Sequence, residues 1–326
     1  MTRSDTVSSS VSARASERPD WLPYGQYPFE DRFIEIGGHR IHYVDEGAGP
    51  ALLLVNAGMW SFVFRDLIVR LRVAFRCVAL DFPGLGLSDA ASGFEPTLAA
   101  NSRILESFVD RVGLRDLTML VHDMGGPVGL ALAGRRPELF RALVISQAFA
   151  WPLRDYPWVQ RALRLVSSGP FKVVNAGTDV LSAVTATSFG VGRHLSREGR
   201  RAFRGPWRRR SARTMTLRIL GSGVNSDPWM EGVQRAIETT LKDLPVLTVF
   251  GQLNDPFKWQ ARYGRTFPNS RALTVSRSNH FPFADDPELV ATTIASWWRE
   301  LVAAADDRQR GEHREVDPPT GLTAAP

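Results

Sequence analysis

The 326-residue chain has one cysteine, Cys77, so no disulfide and no thiolate cluster can form within it. Cys77 sits in the apolar run FRCVAL and reads as a small buried hydrophobe. No stretch approaches the roughly 20 apolar residues that span a bilayer. The first twenty residues lack the apolar centre of a secretory signal, so a cytoplasmic location is the default expectation. The serine-esterase pattern Gly-x-Ser-x-Gly is absent throughout, which excludes the usual serine nucleophile at a strand-to-helix elbow.

The composition that remains is ordinary for a globular protein, with 44% hydrophobic and 23% charged residues. Net charge is +6, and eight arginines fall between Arg197 and Arg213. Such a run suits nucleic acid or a membrane surface. Neither a nucleic-acid motif nor aromatic interleaving accompanies it, so a solvated helical face is expected, with no nucleic-acid partner.

Hydrophobic periodicity divides the chain. Phe33–Ile36 and Arg40–Asp45 flank Gly37-Gly38 and predict a hairpin. Ala51–Asn56, Phe75–Leu80, Leu117–Val121 and Ala142–Ser146 are short continuous apolar runs, as strands buried on both faces require, and Val246–Phe250 and Ala272–Val275 read as two further strands. Helical spacing lies between them at Phe62–Leu71, Leu98–Val112, Pro127–Ala133 and Phe257–Phe267, and ends the series at Glu288–Val302. The alternation predicts an α/β fold with a mostly parallel sheet between helices. From residue 151 to 243 it stops, in a segment rich in aromatics and arginine. The expected organisation is a core of residues 27–150 and 244–305, an inserted helical cap of 151–243, and disordered tails at 1–26 and 306–326.

In open α/β sheets reacting groups gather beyond the carboxyl ends of the strands. After Leu117–Val121 comes His122-Asp123-Met124-Gly125-Gly126, then a helix. A strand that runs straight into a helix needs a sharp turn with small residues beside it, the setting of a nucleophile elbow. Asp123 holds the central position, where a helix N-terminus favours an anion. As a plain residue it would be a helix N-cap. Two later residues favour chemistry: Asp255 follows the strand Val246–Phe250, and His280 follows the last strand. The order nucleophile, acid, histidine is the chain order of this fold's triad. Asp285 and Asp286 read instead as caps of the last helix.

These residues resemble the haloalkane dehalogenases and, close behind, the epoxide hydrolases, within the α/β-hydrolase superfamily. The resemblance runs from about Tyr27 to Leu301. It rests on YPFEDRFIEIGGHRIHYVDEGAGP, DFPGLGLSD, HDMGGPVG and FGQLNDP with RTFPNSRALTVSRSNHFPFADDPELV. It implies an α/β-hydrolase fold with a cap and a small apolar substrate, with no metal or organic cofactor. It also implies that Asp123 attacks carbon, that His280 activates water against the resulting alkyl ester, and that Asp255 orients His280. The oxyanion donors would be N–H groups of Met124 and of the loop around Ala57.

The chain departs from the family at two places. His-Gly-Asn-Pro-Thr-Trp becomes Asn56-Ala57-Gly58-Met59-Trp60, one residue shorter, and the tryptophan after the nucleophile becomes Met124. Both family donors to a leaving halide are thereby lost, and Asn56 or Trp60 is the expected replacement. Trp60 also suits a pocket wall or the core. Phe149, Trp151, Tyr156, Trp158 and Phe281 are expected to line an apolar substrate pocket. Epoxide hydrolases use two lid tyrosines, whereas the insertion holds only Tyr156. Epoxide opening, a tailoring step such as elimination or cyclisation, and a catalytically silent binding protein are the alternatives.

Overall fold

The computed structural model describes residues 18–316. Strands β1 (Arg32–Ile36) and β2 (His39–Glu46) form the expected antiparallel hairpin. Then follow β3 (Ala51–Asn56), α1 (Arg65–Leu71), β4 (Arg76–Leu80), α2 (Leu98–Val112), β5 (Leu117–His122), α3 (Gly125–Arg135) and β6 (Phe140–Ser146). Six helices precede the next strand: α4 (Pro157–Val166), α5 (Gly169–Thr178), α6 (Val180–Thr185), α7 (Arg197–Arg204), α8 (Arg210–Val224) and α9 (Asp227–Glu238). The sheet resumes with β7 (Val246–Gly251), α10 (Trp259–Thr266) and β8 (Ser270–Val275), and the chain closes with α11 (Pro282–Asp285) and α12 (Pro287–Val316).

The eight strands lie in the order β1-β2-β4-β3-β5-β6-β7-β8, parallel from β4 onward. Alternate residues of each strand face opposite sides. Leu53, Val55, Met119 and Val121 join the core beneath α2, α3 and α9. Leu52, Leu54, Leu120 and Leu247 join the core beneath α1 and α12. Every residue of β5 and of β7 is buried, because helices cover both faces. Cys77 lies fully buried on β4, where burial pushes its thiol up to about 12.

Both expected tails need correction. Residues 18–26, assigned to a disordered N-terminal tail, are ordered against the sheet. Arg18 donates to the carboxylate of Asp31 and to the carbonyls of Tyr27 and Phe29, and Leu22 is buried. Residues 1–17 lie outside the described residues. The C-terminal tail expected from 306 is helical to Val316 as part of α12, and 317–326 lie outside the described residues. Polar composition concealed both, because a solvated helix or a strap held by a few hydrogen bonds needs little apolar pattern. No helix among the described residues is long and apolar enough to cross a membrane.

Candidate active site

Asp123 sits between β5 and α3 with φ at +51°. That left-handed conformation costs a non-glycine residue about 1–3 kcal/mol and survives only where its surroundings enforce it. Here small neighbours permit it. A Cβ on Gly125 would lie 2.2 Å from the Val55 carbonyl, and one on Gly126 would lie 2.6 Å from Ala148 Cβ. Backbone passes so close to backbone that only glycine fits. The turn projects Asp123 beyond the strand ends, with its side chain 23% exposed.

His280 Nε2 lies 3.7 Å from Asp123 Oδ2. The gap exceeds a hydrogen bond, and the two side chains face each other across it. Burial alone would raise the Asp123 carboxyl. The facing His280 and the Met124 N–H outweigh that and hold it below the ordinary carboxylate value. Asp123 is therefore an anion at neutral pH.

His122 fixes the two loops that meet here. Its Nε2 donates to the His280 carbonyl at 2.8 Å, so in the neutral ring Nδ1 accepts from Asn56 Nδ2, also at 2.8 Å. Burial, reinforced by His280, pushes the His122 ring down to about 3, so it stays neutral. The remaining Asn56 oxygen accepts the N–H groups of Gly58 and Met59, each at 2.9 Å. Asn56 thus shapes the loop after β3, and one of its two amide N–H groups is engaged by His122.

Three expected site residues are placed elsewhere. Asp255 does not orient His280. Its carboxylate accepts the N–H groups of Trp259 and Gln260 at 2.7 and 3.1 Å, capping α10. Its neighbour Asn254 reaches His280, with Nδ2 3.0 Å from Nδ1. Gln147, itself strained at φ +44°, holds that loop by donating to the Asn254 carbonyl and accepting from Gly251 N–H. Trp60 donates its indole N–H to the Phe203 carbonyl at 2.9 Å and offers none to a leaving group. Trp158 is 72% exposed under Arg161, so it belongs to the surface.

The other expected residues are buried, in two groups. Phe281 packs on the rings of both His122 and His280, at 4.8 and 4.9 Å. Ala57 and Met124 are buried at the elbow, and the Met124 Cε would lie 3.2 Å from a Cβ on Gly223 of α8. Phe149 lies against Trp259, Trp151 against Tyr263, and the Tyr156 hydroxyl accepts from Arg262. That second cluster is built on α10. The sequence reading missed Asn254, Gln147 and the role of His122. An amide immediately before Asp255 was the available signal for Asn254.

A carboxylate on a strained strand-to-helix elbow, facing a histidine after the last parallel strand, defines the class. The family model of the α/β hydrolase fold matches residues 50–287, and the chain belongs to this family. Within it, the chain falls in the haloalkane dehalogenase-like branch. It is 32% identical over 294 residues to haloalkane dehalogenase 2 of Mycobacterium tuberculosis, covering 84% of this chain and 97% of the relative. It is also 32% identical over 291 residues to a cis-3-alkyl-4-alkyloxetan-2-one decarboxylase of Shewanella oneidensis, covering 85% of this chain and 91% of the relative. A solved haloalkane dehalogenase from Bradyrhizobium elkani shares the fold, with a TM-score of 0.74 at 19% identity, covering 85% of this chain and 99% of that one.

Proposed function

We propose that Asp123 attacks a saturated carbon of a small apolar substrate and expels a leaving group, forming an alkyl ester on its own carboxylate. The observation that carries this reading is the ionised Asp123 on its strained elbow, 3.7 Å from His280. In the first reading the leaving group is halide, and His280 takes a proton from water as that water attacks the ester carbonyl. The Met124 and Ala57 N–H groups are the donors this reading assigns to the developing oxyanion. Residues 151–243 act as the cap over the substrate. The test is halide release from short bromoalkanes by the wild type and by Asp123→Ala, with His280→Ala examined by intact mass. Release lost in Asp123→Ala, with an alkyl adduct on His280→Ala, is the expected result. No release from any bromoalkane in a broad panel rejects the halide reading.

A second reading is favoured by Asn254. As placed, its amide Nδ2 donates to His280 Nδ1, so the imidazole proton sits on Nε2 and points toward Asp123. With its proton on Nε2 the ring does not take one from water there, whereas the amide turned over would place the proton on Nδ1 and free Nε2 as a base. A β-lactone needs no such base. Attack of Asp123 on the ring carbon bearing oxygen breaks the C–O bond and frees a carboxylate. Loss of CO2 then sends its electron pair into a C=C bond, and Asp123 leaves as the carboxylate it began as. The oxetanone decarboxylase relative, which has the same 32% identity as the dehalogenase, is named for a reaction on that ring. Alkene and CO2 from a cis-3,4-dialkyl oxetanone support this reading, and recovery of unchanged lactone rejects it.

A further inference from the structure

A cavity of about 620 Å³ opens beside α7, away from the strand-end site, and shares no lining residue with it. Arg197, Arg200, Arg201, Arg204 and Arg208 line it together with Trp21. The sequence explains the grouping. Positions 197, 201, 204 and 208 recur at three- to four-residue intervals and so share one side of the helix and its extension. Gly199, Ala202 and Phe203 form the buried side. Like charges four residues apart destabilise a helix, so packing gains nothing from this arrangement.

The available acids do not neutralise it. Asp179 is buried and pairs with Arg204 at 3.1 Å. Arg200 donates to the Gly192 carbonyl. Glu198 turns away to accept from Gln26. Asp20 is the other acid on the lining. Among the described residues, the side chains of Arg197, Arg201 and Arg208 have no hydrogen bond or ion pair within the protein. Three exposed arginines whose guanidinium groups have no partner within the protein thus line one concave surface.

We propose that this cavity binds a small soluble ligand carrying a diphosphate or longer phosphate chain. Guanidinium groups bind phosphate through paired, charge-assisted hydrogen bonds. From Arg197 to Arg204 the helix rises about 10 Å, which suits several linked phosphates better than one. Trp21 supplies an apolar wall for whatever the phosphates are attached to. The Trp21 wall is tied to the core of the protein. Trp21 packs edge-on against Trp60, whose indole N–H is held by Phe203 of α7.

The test is calorimetric titration of the full-length protein with inorganic pyrophosphate at constant ionic strength. Saturable one-to-one binding is expected, weakened about tenfold or more in the Arg197→Ala/Arg201→Ala/Arg208→Ala variant. These side chains hold no other element in place, so the variant should fold; its circular dichroism checks this. A control variant replaces Arg103, Arg111 and Arg164 with alanine, all exposed on other helices. Equal weakening in both variants, or no saturable binding by the wild type, overturns the proposal. Flotation with phosphatidylcholine vesicles, with and without phosphatidic acid, separates the sources of phosphate. Capture by the acidic vesicles without pyrophosphate binding overturns the assignment to a soluble ligand.

Discussion

Asn254 Nδ2 lies 3.0 Å from His280 Nδ1, where an imidazolium would be held best by a carboxylate. A neutral amide can orient the ring but stabilises its charged form less. In a Ser-His-Asp enzyme, changing that acid to an amide lowers turnover by about 10⁴.

Asn254→Asp should therefore speed hydrolysis of an alkyl ester on Asp123 by about ten- to a hundredfold. The wild type should accumulate the ester, visible by intact mass after a pulse of bromoalkane. The decarboxylation of a β-lactone, which needs no water, should gain nothing. An adduct on His280→Ala, with equal hydrolysis rates in wild type and Asn254→Asp, would reject the role of Asn254 and leave Asp123 standing.

Asp255→Ala separates capping from catalysis. Losing the acceptor for two N–H groups of α10 should cost about 0.5–2 kcal/mol in urea unfolding. Rates per folded molecule should change little. A loss of a hundredfold or more would return Asp255 to the orienting role.

Trp60→Phe leaves the Phe203 carbonyl without its donor and should destabilise the protein by about 1–3 kcal/mol. Since that N–H is already engaged, affinity for a competing halide should not fall. Halide inhibition measured on wild type and variant decides this.

His122 predicts a dependence of stability on pH. The unfolded chain takes up a proton on this ring near pH 6.5, whereas the folded protein does not until about pH 3. The unfolded state therefore binds the extra proton between those values, and stability falls as the pH falls. The slope from this group is about 1.4 kcal/mol per pH unit. Urea midpoints across that range should show it, and His122→Gln, which keeps a donor and an acceptor, should flatten it.

Strand runs, the elbow at Asp123 and the order Asp123 before His280 were legible in the sequence because each depends on local features. Continuous apolar runs mark buried strands, and Gly125 and Gly126 permit a turn that few other residues could form. Which neighbour faces His280 is not local. Adjacent residues in a loop project in different directions, so one position separates an orienting group from a helix cap. The clamp that Gln147 places on the loop puts Asn254 at the ring and leaves Asp255 to α10. Trp60 shows the same limit, since its N–H is claimed by a carbonyl 143 residues away. Local sequence alone was enough to put a carboxylate at the elbow and a histidine after the last strand. That an amide faces this histidine required the folded sheet, because the loops after β6, β7 and β8 must meet before the partner is chosen.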